Sequence, residues 1–186
     1  MMMTTKNANP FTSAPDPSEA RWYAVHTRFK CEKYVQRLLE KQGVTAYVPL
    51  QQFTRRYLRK IKTVEKPLIS CYVFVKISGQ QYKQVLETEH VLDFVKTGRQ
   101  ITAIPEKEIQ VLRRITLEKD LDIQITPREF QSGDWVEIAA GNLIGLQGRV
   151  VQSTGKQQLL VDLETLGYTL QITLDAALLC KIHRAL

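Results

Sequence analysis

The sequence predicts an α+β protein, a split β-α-β domain followed by a small closed β barrel, and three observations carry that expectation. Pro67 to Ile77 is the densest strand signal and sorts its side chains by face: Cys71, Val73, Val75 and Ile77 one way, Tyr72, Phe74 and Lys76 the other. Cys31 to Gln42 sets Cys31, Tyr34, Val35, Leu38 and Leu39 at helical spacing, with Gly43 as the stop. Past residue 131, short β signals are punctuated by Gly141, Gly145, Gly148, Gly155 and Gly167, the pattern of a small barrel.

The totals bound the function. In 186 residues, 26 Lys and Arg stand against 19 Asp and Glu, giving a formal charge of +7, and 44% of the chain is hydrophobic. That composition suits one or two small domains, each able to bury a core. The basic excess fits an anionic partner and equally fits Lys used for solubility. Cys31, Cys71 and Cys180 are too far apart for a zinc pattern, and their odd number without a signal peptide argues against a disulfide framework. Reduced thiols in a cytoplasmic protein are expected. No uncharged apolar stretch approaches the ~20 residues of a membrane span. His26, His90 and His183 have no acid partner at motif spacing, Cys71 has no nearby base in sequence, and no Gly-rich phosphate loop occurs. The expectation is a protein that is not an enzyme and holds no metal or cofactor.

In order, residues 1–18 are rich in Thr, Asn, Pro and Ser and read as a mobile tail. Arg21 to His26 is a short strand, Cys31 to Gln42 the clearest helix, and Val44 to Leu50 extended. Gln51 to Lys66 is basic, with Arg55, Arg56, Arg59, Lys60, Lys62 and Lys66 around Phe53, Tyr57 and Leu58, and reads as a protruding hairpin or loop. After the strand Pro67 to Ile77 come a short helix, Gln80 to Thr88, and a strand, Val91 to Thr97. Strand, helix, strand, strand, helix, strand is the order of a ferredoxin-like domain. Pro105 opens a further helix with Glu106 and Glu108 in its first turn and Ile109, Leu112 and Ile115 on one face, closing a first domain of residues 19–119. Residues 120–131 read as a linker, although Leu121, Ile123 and Ile125 alternate like a strand. In residues 132–186, strands are expected at Trp135 to Ile138, Arg149 to Gln152, Leu159 to Leu163 and Thr169 to Thr173, with Leu178 to Ile182 as a fifth.

Both halves resemble one family. Trp22-Tyr23-Ala24-Val25-His26-Thr27, Glu32-Lys33, Tyr47-Val48-Pro49, Pro67-Leu68, Cys71-Tyr72-Val73-Phe74-Val75, Phe94-Val95 and Pro105 are similar to the N-terminal (NGN) domain of NusG-type transcription elongation factors. Gly133-Asp134-Trp135-Val136, Gly141, Gly145, Gly148-Arg149-Val150 and Leu166-Gly167 resemble their KOW domain, an SH3-like β barrel. The resemblance spans residues 20–183. Ile69-Ser70-Cys71 and Glu89-His90 depart from the usual Pro-containing signatures, which implies a specialised paralogue similar to RfaH or to the UpxY-type antiterminators.

The resemblance implies docking on the clamp helices of the largest RNA polymerase subunit through Trp22, Ala24, His26, Ile69, Tyr72 and Phe74. It implies a second contact, with the gate loop of the other large subunit, from Gln81, Tyr82, Lys83 and Gln84. A monomeric factor bridging both would hold the clamp closed and favour processive elongation and antitermination of particular operons, such as polysaccharide clusters. Arg28, Phe29 and Lys30 with Arg55, Arg56, Tyr57 and Arg59 are candidates for the non-template DNA strand, the alternative being a solvated basic loop. The KOW partner is a ribosomal protein, the termination factor Rho or RNA. Leu143, Ile144 and Leu146 are either barrel packing or an exposed docking edge. Two rival readings stand beside these. One is a housekeeping NusG acting in pausing and Rho-dependent termination; the other is a plain RNA-binding module, since Tyr72-Val73-Phe74-Val75 faintly mimics a base-stacking RRM strand. Polymerase docking requires Tyr72 and Phe74 to stand bare on their face of the sheet.

Overall fold

The computed structural model describes residues 11–12, 15–57, 60–97, 99–118, 123–127, 133–153 and 156–182. In chain order the elements are β1 (Phe11–Thr12), β2 (Arg21–Thr27), α1 (Glu32–Lys41), β3 (Thr45–Tyr47), β4 (Leu50–Tyr57), β5 (Lys60–Pro67) and β6 (Tyr72–Ile77). There follow α2 (Tyr82–Leu86), β7 (Val91–Phe94), β8 (Lys96–Thr97), β9 (Gln100–Thr102) and α3 (Glu106–Leu117). The chain continues with β10 (Ile123–Pro127), β11 (Asp134–Ile138), β12 (Gln147–Ser153), β13 (Lys156–Leu163), β14 (Tyr168–Leu174) and β15 (Leu179–Lys181). They form two compact units: residues up to Val48 with Ser70–Glu106, and Pro49–Ile69 with residues from Lys107 onward.

The first unit is built on a four-stranded antiparallel sheet in the order β3-β6-β2-β7. With α1 between β2 and β3 and α2 between β6 and β7, this is the ferredoxin-like arrangement. One face of the central strands, Val25, Val73 and Val75, is sealed together with Val35 and Leu39 of α1 and Val85 of α2, all at 0% exposure. Each such side chain contributes roughly 1.5–3 kcal/mol by leaving water. Phe94 closes that core, edge-on to Tyr23 at 6.3 Å and stacked on Tyr82 at 4.9 Å. Helix α1 ends where Gly43 turns left-handed, φ 78°, so that its N–H reaches the Glu40 carbonyl while Val44 N–H reaches Leu39. That is a Schellman stop, which glycine adopts at little cost.

Three expectations are corrected in this unit. The run Pro67 to Ile77 is not one strand: β5 ends at Pro67 and β6 begins at Tyr72. Cys71 breaks it, with φ at 64° and its N–H donated to Glu32 Oε1 at 2.7 Å. Periodicity carries no trace of a positive φ at a cysteine. The strand expected from Val91 to Thr97 also divides, because β8 leaves the main sheet to pair with β9, which in turn pairs with β1. Residues 15–18, expected to be part of a mobile tail, are tied down. Asp16 Oδ1 accepts the N–H groups of Ser18 and Glu19, and the Asp16 carbonyl accepts Gly79 N–H at 2.6 Å. An Asp two residues before a Ser makes its own turn, which composition does not reveal.

In the second unit, β4 and β5 form a regular hairpin from Leu50↔Pro67 to Tyr57↔Lys60. The other strands make a six-stranded antiparallel sheet in the order β10-β14-β13-β12-β11-β15. Leu159, Leu160, Leu170 and Ile172 are among its most buried side chains, all at 1% or less. The expected linker is in part structural: Ile123–Pro127 pairs with β14 along its whole length. Its place at the sheet edge explains Pro127, whose missing N–H costs nothing on the outer side. Gly148 is required where β12 crosses β13, since a Cβ there would lie 2.3 Å from the Leu160 carbonyl oxygen. Helix α3, expected to close the first domain, groups from Lys107 onward with this unit. Its polar ends explain why: Glu108 Oε1 accepts Thr165 N–H at 3.0 Å, and the Arg114 guanidinium donates to the carbonyls of Ile144 and Asn142.

Candidate functional site

The antiparallel register of β2 and β6 sets Trp22 opposite Lys76, Ala24 opposite Phe74 and His26 opposite Tyr72, all on one face. On β3, Tyr47 stands beside Phe74, with ring centroids 6.3 Å apart. The expectation of two bare rings here is corrected. Phe74 is 0% exposed, and Trp22 and Ala24 are at 3% and 2%. Phe74 lies on an inner strand of the sheet, opposite small Ala24 and beside Tyr47. Trp22 is held by a closed polar triad: its indole N–H donates to Glu106 Oε2 at 2.7 Å, and the Lys76 ammonium lies 3.2 Å from that oxygen and 5.9 Å from the indole ring.

At the other end of the face His26 and Tyr72 are half-exposed, as are Tyr47 and Lys76 along it. His26 and Tyr72 meet edge-on at 4.7 Å. Asp93, cross-strand to His26, bonds the Lys96 ammonium at 2.6 Å; with the Phe94 N–H this holds the Asp93 carboxyl below its ordinary range. Directly after β2, Arg28, Phe29 and Lys30 are exposed, Phe29 at 66%, with the Lys30 ammonium 5.2 Å from the Phe29 ring. Arg28 N–H donates to the His90 carbonyl, and the His90 ring lies 5.5 Å from Tyr34. Tyr34 is 41% exposed, and its hydroxyl donates to Glu89 Oε2, which raises the phenol pKa. The structure therefore brings Tyr34 and His90 up to the Arg28–Lys30 loop, two residues that the sequence does not single out for a site. By spacing Tyr34 belongs to the apolar stripe of α1, and His90, unlike His26, has no assigned role; its left-handed φ of 68° has no sequence signal.

Of the four residues assigned to a gate-loop contact, Lys83 alone is exposed, 3.6 Å from Glu87. Tyr82 is stacked on Phe94, and the Gln84 side-chain amide donates to the Gln42 carbonyl at 2.9 Å. Gln81 ends the 3₁₀ turn before α2 and is half-buried. In the second unit, Ile69 is 2% exposed after β5. Arg55, Arg56 and Tyr57 lie on β4 with side chains outside the described part of the structure, and Arg59 lies outside the described residues altogether. Phe53, earlier on the same strand, is 40% exposed, with the Lys66 ammonium 5.7 Å from its ring. Leu143 and Leu146 are buried at 4% and 6%, so they are packing, while Ile144 between them is 57% exposed.

Among the described residues, no cluster of His, Cys, Asp or Glu stands where it could hold a metal ion, and no helix is long and apolar enough to cross a membrane. Cys31, Cys71 and Cys180 are each free, and burial followed by the nearby Glu32 carboxylate raises the Cys71 thiol pKa. The first unit thus carries a part-open aromatic and imidazole pair followed by a cationic loop with an exposed ring.

The chain is an α+β protein, a ferredoxin-like sheet followed by a six-stranded antiparallel sheet. Residues 20–113, half of the sequence, match the family model described as transcription termination factor nusG, and the chain belongs to the NusG family of transcription factors. A solved structure on domain interaction in Thermotoga maritima NusG is similar over 89% of this chain and 98% of that one, at TM-score 0.53 and 22% identity, a likeness of fold. A chain from the crystal structure of the MjSpt4:Spt5 complex, conformation B, matches 88% of this chain and 97% of its own length at 20% identity and TM-score 0.32.

Proposed function

We propose that this chain is a transcription elongation factor of the cytoplasm that binds RNA polymerase through the His26–Tyr72 end of its first sheet and promotes processive elongation. The observation that carries the reading is the half-exposed His26–Tyr72 pair, joined through Thr27 to the exposed Arg28-Phe29-Lys30 loop. Aromatic groups with one open edge on a rigid sheet suit a protein hot spot. The clamp helices of the polymerase then rest on His26 and Tyr72, with Trp22, Ala24 and Phe74 serving as a stiff backing and not as the contact itself. Lys83 reaches the gate loop, and the Arg28–Lys30 loop meets the non-template strand, phosphate to cation and base to Phe29. A factor that favours the closed clamp by ~1–3 kcal/mol shortens pauses severalfold to a hundredfold through population shift alone. No bond is made or broken.

Residues 132–186 act as a KOW domain, and exposed Ile144 is a residue of its Gly141–Leu146 loop that can meet a partner. Ile69-Ser70-Cys71 and Glu89-His90 support a specialised antiterminator of particular operons. The termination-factor description of the matching family model favours the other reading, a housekeeping role. Transcript profiling after gene deletion separates them: loss confined to a few long operons supports the specialist, and a uniform change overturns it.

Polymerase docking is tested by co-purification of core RNA polymerase with Tyr72→Ala and His26→Ala variants. A hot spot predicts at least about a thirtyfold loss of affinity for Tyr72→Ala with the circular dichroism spectrum unchanged. Wild-type affinity in both variants would defeat the proposal.

A further inference from the structure

Glu108 lies in the first turn of α3, 5% exposed, and the binding surface described above makes no use of it. Its Oε1 accepts the Thr165 N–H at 3.0 Å from the turn between β13 and β14. Its Oε2 is buried without any hydrogen-bond partner. An ionised carboxylate in that position leaves a charged oxygen with nothing to solvate it, which is costly; a protonated carboxyl leaves much less.

The surroundings do not rescue the charge. Glu108 lines a cleft of about 530 Å³ with Val111 of α3, Trp135 of β11, Arg149 of β12, and Asp162 and Glu164. Arg149, which lines the same cleft, pairs with Asp162 at 2.9 Å, and Asp162 also takes the Thr169 hydroxyl at 2.7 Å. Burial raises the carboxyl above the ordinary glutamate range, outweighing the Thr165 N–H and hydroxyl and Lys107, which favour ionisation; Glu164, beside Thr165, opposes it as well. The other end of the helix is held independently of pH, by the Arg114 guanidinium on the Ile144 carbonyl at 2.6 Å.

We propose that the Glu108 carboxyl is a proton-operated latch: uncharged, it holds the first turn of α3 to the β13–β14 turn, and ionised, it loosens that contact. The docked state binds the proton more tightly than the released state. Docking is therefore strongest below the ordinary glutamate range, weakens as pH rises through the interval up to the raised value, and stays weakened above it. Glu106 on Trp22 and Lys76 and Arg114 on the Ile144 carbonyl stay in place, so the loosening is local to the Glu108–Thr165 contact.

The test is a pH titration of the full chain by NMR, following the Glu108 side-chain carboxyl carbon, the Thr165 amide and hydrogen-exchange protection of residues 107–113. The expected result is a carboxyl midpoint above that of an ordinary glutamate, with Thr165 shifting at the same midpoint. Protection of the first turn, corrected for the intrinsic pH dependence of exchange, should fall by up to about tenfold for each pH unit in the interval. Glu108→Gln, which still accepts the Thr165 N–H and cannot ionise, should keep protection level across the range. Should that variant fold poorly, the wild-type titration decides by itself. Glu108 titrating like a free glutamate, ionising with no change in α3 protection, or a Gln variant with wild-type pH dependence would each overturn the latch.

Discussion

Glu32 shows how much one side chain decides. It is 3% exposed, and its carboxylate captures the N–H of Cys71 in a left-handed turn, which ends one strand run and starts another. Glu32→Ala should cost about 1–3 kcal/mol, because a buried N–H loses its acceptor; a urea titration reads this as a lower midpoint at unchanged slope. Phe74→Ala should cost about 3–5 kcal/mol, the usual loss for emptying a sealed aromatic site. It would weaken polymerase binding for the wrong reason, so Tyr72 is the residue that separates docking from folding. Gly43→Ala should cost about 1–2 kcal/mol, since its φ of 78° penalises any Cβ even though nothing crowds the position.

At the level of elements, the turn at residues 15–19 depends on a carboxylate. The N–H groups of Glu19 and Ser18, the Ser18 hydroxyl and, more weakly, Arg21 hold the Asp16 pKa below its ordinary value. The turn is thus fully supported above the ordinary carboxylate range and loses that support as pH falls through the depressed value. The amide signals of Ser18 and Glu19 should move together on acidification; fixed signals would show that the turn does not need the charge. In the second sheet, Gly148→Ala drives a Cβ into the Leu160 carbonyl where β12 crosses β13. A loss of about 1–3 kcal/mol is expected, seen as a lower thermal midpoint.

For the whole molecule, the proposed function makes binding to the elongation complex a sum of protein and nucleic-acid contacts. Replacing Arg28 and Lys30 by Gln should weaken binding to a complex carrying an exposed non-template strand and flatten its salt dependence by about 0.7 for each phosphate no longer neutralised. An unchanged salt slope would remove DNA from the site. The loop is suited to this because its cations and ring are exposed together, with Lys30 at a φ of 63°.

The alternation of Trp22 to Thr27 and Tyr72 to Ile77 and the helical spacing of Tyr34 to Leu39 were enough to lay out the ferredoxin-like sheet and its helices. So were the glycines that space the later strands, because period and turn chemistry are local properties of the chain. Which rings stay open was decided elsewhere. Tyr72 and Phe74 share a face, yet the folded chain seals Phe74 and leaves Tyr72 part-exposed. The same holds for α3, whose apolar stripe was legible but whose docking through Glu108 and Arg114 was not. Pattern tells a side chain which way to face; only the folded chain supplies what it meets there.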